Sequence, residues 1–302
     1  MKKVLFWGMT EVFQYYKNIL NGEMLKGNIE PVAIVSREKL CKKLDGLDII
    51  DKNDISNYEF DYLIIFAKAF KQIKNEAVAL GVPENKIINC DVLRFPCFDF
   101  ERYTSLIENP VSIITNDCFG GNVYHQLYLE FSSPFINFFI SPSQYLDFLK
   151  NFYDYIERPL IKTRDIDILE NIFLQMKFED TEIFLGCNHD YSYEEFMNKF
   201  ERRRKRINYD NLLFKMTIEN DEQAEMFDAL PLKNKVGFYY KPTKYESIHY
   251  LPYYTKRNLL EPRSYDSACF NFPVYVRKFT PFIHQVDILK MLTDKKDFMR
   301  AE

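Results

Sequence analysis

The sequence is short of glycine, with 9 in 302 residues, against a usual share of about 7%. Few positions are therefore free to bend through positive φ. It also lacks any excess of positive charge. Lys plus Arg number 40 and Asp plus Glu number 44, a net charge of −4, so no global positive field exists to hold nucleic acid or an anionic membrane. Any anion site has to be local. Long apolar runs are missing too. Residues 4–9 fall short of the about 7 to 15 residues of a signal-peptide core. Residues 135–140 contain Asn137 and are far below the about 20 residues that span a bilayer. The expectation is a soluble, cytoplasmic chain.

No two of the six cysteines, Cys41, Cys90, Cys97, Cys118, Cys187 and Cys269, form a C-x-x-C pair, and they read as free thiols of a reducing compartment. Cys187 and His189 could supply two zinc ligands. No local partner completes the set, so neither a metal nor a cofactor is expected. What the chain does have is apolar bulk: 28 Phe, 21 Tyr and a hydrophobic content of 47%. That is ample for two cores at a length of roughly two domains, and it excludes disorder as the main state.

The front of the chain alternates strand and helix. The apolar run Val4-Leu5-Phe6-Trp7 ends at Gly8, and Phe13, Tyr16, Ile19 and Leu20 follow at helical spacing. Further strands are predicted at 31–35, 47–50, 62–67 and 86–89, with a helix through Phe70, Ile73, Ala77 and Leu80 that Gly81 and Pro83 close. Short joints between alternating elements imply a parallel, Rossmann-like sheet. The dinucleotide fingerprint fails in both registers of Gly8, which put Thr10 and Phe13, or Phe6 and Glu11, where glycines belong. No NAD(P) site is predicted, and the module serves packing or some other small ligand.

Residues 89–110, with Pro96, Pro110 and no glycine, read as a packed connector. The boundary is set near residue 105, giving a Rossmann-like module over 1–104 and a second α/β domain over 105–302. In the latter a β-branched strand over 111–115 leads through Asn116-Asp117-Cys118-Phe119-Gly120-Gly121 into a helix over 122–130. Two adjacent glycines after a strand imply either positive φ or close approach, and the amides of the following helix start would form an anion site. Cys118 at that turn is either a thiol activated by a helix amino end or a small apolar filler. His125, two helical turns on, is too distant to be its base.

Ser141-Pro142-Ser143-Gln144 and Ser192-Tyr193-Glu194-Glu195 carry capping-box spacing and open helices. The second ends in Arg202-Arg203-Arg204-Lys205-Arg206, a solvated helix terminus or, at Arg202 and Arg203, a bidentate site for phosphate or carboxylate. Asn208, Tyr209, Asp210 and Asn211 then precede an apolar strand; they either bond among themselves as a turn or orient sugar hydroxyls.

Asn116-Asp117-Cys118-Phe119-Gly120-Gly121 with Tyr124, Ser133-Pro134, His189 with Ser192, Glu194 and Glu195, Arg202-Arg203 and the run 206–211 together resemble a bacterial family of unknown function. Its members are often labelled exopolysaccharide biosynthesis proteins, and some carry an acyltransferase label. The likeness covers roughly 109–245. Asp117 and Phe119 stand where the family commonly has Asn and Trp, and Phe200 replaces a further Trp. The resemblance implies modification or assembly of a surface polysaccharide by a transferase acting on an activated sugar or glycan intermediate. The other class left open is a non-catalytic ligand-binding or scaffold protein of the same pathway.

The expected catalytic residues are Cys118 as nucleophile, His189 as its base, and Asp117. Asn116, Gly120, Gly121, Arg202, Arg203, Asn208 and Asp210 are expected to hold a small anionic substrate such as a sugar nucleotide or acyl-CoA.

Overall fold

The computed structural model describes residues 1–9, 11–36, 42–136, 138–163, 166–168, 171–187, 192–251 and 285–300. The chain divides into two compact units, Met1–Ile107 and Glu108–Glu302. Both are mixed α/β.

The first unit runs β1 (Lys2–Trp7), α1 (Glu11–Leu25), β2 (Ile29–Val35), β3 (Lys43–Leu44), β4 (Leu47–Ile50), β5 (Tyr62–Ile65), α2 (Phe70–Ala79), β6 (Ile87–Asn89) and α3 (Phe100–Glu108). Its sheet has the order β3-β4-β2-β1-β5-β6. All neighbours pair in parallel except the β3–β4 edge hairpin. The chain steps outward from β1 on one side, then crosses back to β5 on the other, which is the Rossmann-like topology. Central strands buried on both faces have to be apolar throughout, and β5 reads Tyr-Leu-Ile-Ile with every side chain buried.

At the end of β1, Gly8 has φ of 112°, and a Cβ there would lie 2.8 Å from the carbonyl oxygen of Phe66. Glycine is therefore required by neighbouring backbone. Phe13, at the position where the dinucleotide fingerprint needs glycine, packs its ring 5.7 Å from Phe6 and 5.2 Å from Phe66. Three aromatics thus fill the space between α1 and the strand where a fingerprint glycine would let the helix close in.

The connector holds an element that its sequence did not announce, the helix α3. Glu23, 2% exposed on α1, accepts from the backbone N–H of Phe100 at 2.9 Å, from Asn28 Nδ2 at 2.7 Å and from Lys26 Nζ at 2.7 Å. The side chain so ties α3 to α1. Glu23→Ala should cost the first unit about 1–3 kcal/mol, because the buried Phe100 N–H loses its acceptor. The fluorescence of Trp7, the one tryptophan of the chain, would report the lowered melting temperature; an unchanged transition would refute this role.

The second unit runs β7 (Ser112–Thr115), α4 (Phe119–Gln126), β8 (Phe138–Phe139), α5 (Pro142–Lys150), α6 (Phe152–Tyr155), β9 (Leu160–Lys162), β10 (Ile166–Ile168), β11 (Asn171–Phe178), β12 (Phe184–Cys187), α7 (Tyr193–Arg204), β13 (Leu212–Thr217), α8 (Asp221–Ala229), β14 (Lys235–Tyr239), β15 (Ile248–Tyr250) and α9 (Ile288–Thr293). Four strands form a parallel sheet in the order β15-β14-β13-β7. The excursion between β7 and β13 carries α4 to α7 and an antiparallel sheet of β8 to β12.

One face of the parallel sheet presents Ile114, Phe214 and Met216 to a large core with Phe135, Phe148, Phe152, Phe178 and Phe200. Asn151 breaks the helix predicted after Ser141 into α5 and α6. Ser141 makes no side-chain cap, whereas Ser192 does, accepting from the Glu195 N–H at 3.1 Å. Among the described residues no helix is long and apolar enough to cross a membrane.

Candidate functional site at the carboxyl edge of the second sheet

The opposite face of β7 and β13 takes α4. Tyr124 clamps it there, its hydroxyl accepting from the Ile113 N–H at 3.0 Å and donating to the Val111 carbonyl at 2.7 Å. The helix begins at Phe119, three residues earlier than its sequence suggests. Gly120 and Gly121 consequently lie inside it and do not have positive φ. Gly120 is there for closeness: a Cβ would sit 3.3 Å from Thr115 Cγ2 and 3.4 Å from Ile113 Cγ2.

The amino end of α4 is already occupied by a carboxylate of the chain itself. Asp117 Oδ1 accepts from the Phe119 N–H at 3.0 Å and from Thr115 Oγ1 at 2.8 Å. Its Oδ2 accepts from Thr217 Oγ1 at 3.0 Å and from the ammonium of Lys215. Lys215, in mid-strand on β13, is wholly buried, donates also to Thr217 Oγ1 at 2.6 Å and lies 4.9 Å from the Phe119 ring centroid. Burial works to raise the Asp117 carboxyl, but the Lys215 charge and the hydrogen bonds from Lys215, the Phe119 N–H and Thr115 outweigh it and hold it below the usual carboxylate range. Asp117 thus takes the first amide of α4, that of Phe119, and the nearest cation, Lys215.

Asn116 and Cys118 flank this knot. Asn116 is 6% exposed. Its backbone carbonyl accepts from the Ile140 N–H at 3.0 Å, while its side-chain Oδ1 is buried without a hydrogen-bond partner among the described residues. An orphaned acceptor in a protein interior costs about 1–3 kcal/mol. Tyr145 donates to the Ile114 carbonyl at 2.8 Å; burial and the Asp117 charge keep its hydroxyl protonated.

Cys118 is half-buried beside this knot. Burial pushes the Cys118 thiol up to about 12, the Asp117 carboxylate adds to this, and Lys215 only partly opposes it. His189 lies outside the described residues, as does the side chain of Cys187. His125 is exposed at the far end of α4.

The remaining expected residues gather elsewhere. Arg203 is buried with its guanidinium 5.0 Å from the Phe131 ring centroid, and Phe131 packs on Tyr124 at 5.8 Å. Arg202 is exposed. Arg204 donates to the carbonyls of Ile156, Glu157 and Arg158 at the end of α6, and Arg206 pairs with Glu130. Asn208 Nδ2 donates to Asn109 Oδ1 and the Pro110 carbonyl, its Oδ1 accepts from the Asp210 N–H, and its own N–H donates to Ser112 Oγ.

Ser112 opens β7 and Asp117 follows its close, with about 10 Å of strand between. Arg203 and Asn208 therefore belong to the amino edge of the sheet, Asn116, Asp117 and Cys118 to the carboxyl edge. Lys215 and Thr217 went unremarked in the sequence, although a lysine in the middle of an apolar strand is itself a signal, since burial demands a paired anion.

The buried polar knot and the unpartnered acceptor both lie at the carboxyl edge of the parallel strands of this α/β unit. The chain belongs to the family described as a domain of unknown function, DUF1919, which it matches over residues 89–283. Residues 1–88 match a second family, described as C2185-like, N-terminal. An uncharacterized protein of Haemophilus influenzae is 32% identical over 157 residues, 51% of this chain and 73% of that protein. A solved chain from Desulfitobacterium hafniense, described as a candidate NADPH-dependent oxidoreductase, aligns over 62% of this chain and 67% of its own length. Its 11% identity and TM-score of 0.24 carry no inference.

Proposed function

We propose that the chain is a transferase of surface-polysaccharide assembly, acting on an activated sugar or glycan intermediate held at the carboxyl edge of β7 and β13. The observation that carries this reading is the buried, unpartnered Oδ1 of Asn116 beside the Asp117–Lys215–Thr217 knot. A donor such as a sugar nucleotide or acyl-CoA would offer a hydroxyl or amide N–H to that oxygen. Because the Cys118 thiol stays protonated at neutral pH, transfer in this reading is direct from donor to acceptor, with no thioester on Cys118. Asp117, already accepting four hydrogen bonds, acts as an electrostatic and positional anchor.

Calorimetric titration with UDP-glucose and with acetyl-CoA tests the proposal. One of the two classes should bind, and Asn116→Leu should weaken it at least tenfold without lowering the melting temperature. Binding of neither removes the transferase reading. A non-catalytic ligand-binding role is the second reading, favoured by the internal satisfaction of every charge in the knot. It predicts binding with no release of nucleotide or CoA in the presence of a glycan acceptor.

A further inference from the structure

Two tyrosines stand out because they are ordered against neighbours yet left open. Tyr153 on α6 is 61% exposed and Tyr209, before β13, is 42% exposed. Their ring centroids are 6.3 Å apart with planes inclined at 35°. Tyr153 is held from beneath by the edge of buried Phe152, at 5.1 Å and 72°. Tyr209 is held by its hydroxyl, which donates to Glu157 Oε1 at 2.6 Å. The backbone on either side is also fixed: Arg204 caps the carbonyls of Ile156, Glu157 and Arg158, and Asn208 bonds to Asn109 and Pro110. Single exposed aromatics are ordinary, but an adjacent pair held in place offers amphipathic area whose ordering is already complete before anything binds.

The fringe narrows the ligand. Asp154, Glu157 and Asp210 are exposed around the pair; Arg158 neutralises Asp154 at 2.6 Å and Arg204 pairs with Glu201 at 2.6 Å, so the net negative charge of the rim comes from Glu157 and Asp210. A polyanion meets like charge here. A neutral carbohydrate meets its complement: the apolar C–H face of a pyranose lies on the rings, and its hydroxyls donate to carboxylates at the rim.

We infer that Tyr153 and Tyr209 form a binding surface for a neutral glycan, set at the amino edge of the second sheet and apart from the carboxyl-edge site. It goes beyond the transferase reading and does not require it, since a chain that turns over nothing could still hold a polymer at this surface. Affinity electrophoresis of the full chain in native gels cast with dextran, mannan or galactomannan tests it. At least one polymer should retard the protein, and Tyr153→Ala with Tyr209→Ala should reduce that retardation at least fivefold at an unchanged melting temperature. Tyr209→Phe, which keeps the ring and loses the bond to Glu157, should retain most of it. No retardation by any of the three polymers overturns the inference, as does equal retardation of the double variant. Asn116→Leu should be retarded like the parent, so failure of the donor site and failure of this surface are read separately.

Discussion

Lys215→Met is expected to destabilise the second unit by about 3–5 kcal/mol, the cost of leaving one member of a buried ion pair without its partner. Methionine fills a similar volume, so the loss is electrostatic and not a cavity. The pH dependence has a definite sign. In the parent chain the Asp117 carboxyl is held below its ordinary range, so its contribution is present above an unfolded value of about 3.9 and disappears as pH falls through the lower folded value. In the variant the Lys215 charge and hydrogen bond are gone while burial remains, opposed only by the Phe119 N–H and the two threonine hydroxyls, so the Asp117 carboxyl moves up from its parent position and ionising it costs more. The difference in stability between parent and variant should consequently be large at pH 7 and shrink toward pH 4. Urea titrations followed by tyrosine near-ultraviolet circular dichroism check this; a difference independent of pH would show that Lys215 and Asp117 do not titrate as a pair. Lys215→Met combined with Asp117→Asn should recover much of the loss.

Gly8→Ala is expected to destabilise the first unit by about 2–4 kcal/mol. Two causes add. A residue with a Cβ at φ of 112° is strained whatever surrounds it. The Cβ would also stand 2.8 Å from the Phe66 carbonyl oxygen, which is backbone of the neighbouring chain segment and cannot turn aside. Trp7 immediately precedes the site, so its fluorescence should report an earlier transition of the first unit, which alone holds the tryptophan. An unchanged Trp7 transition would mean that the β1 end relaxes freely. Because Lys215→Met perturbs the second unit and Gly8→Ala the first, the pair of variants also measures whether the two units unfold independently.

The legibility of the sequence follows from how local each signal is. Strand β1 ending at Gly8, helix α1 through Phe13, Tyr16 and Leu20, and the Ser192 cap of α7 are each written in residues a few positions apart, and they appear where periodicity and capping chemistry put them. The helix α3 was hidden because its amino end is secured by Glu23, 77 residues away, and not by a neighbour in sequence. The start of α4 shifted for a related reason. Asp117 supplies the acceptor for the Phe119 N–H and so begins the helix before the glycines, of which Gly120 packs on Ile113 and Thr115.

The candidate site divides in the same way. Asn116, Asp117 and Cys118 share one turn, so their company was certain from the chain itself. What that turn does was decided by Lys215 and Thr217, about a hundred residues further along, which parallel pairing of β13 with β7 brings to the same edge. Arg203, Asn208 and Asp210 fell to the other edge because the excursion returns to the sheet at its amino end, as every crossover between parallel strands has to. Composition, alternation and capping determined the α/β class, the apolar strands and the helix starts, because those depend on interactions within a few residues. Which charges meet, which thiol stays protonated and which acceptor is left without a donor are set by contacts between distant segments, and only the folded chain could decide them.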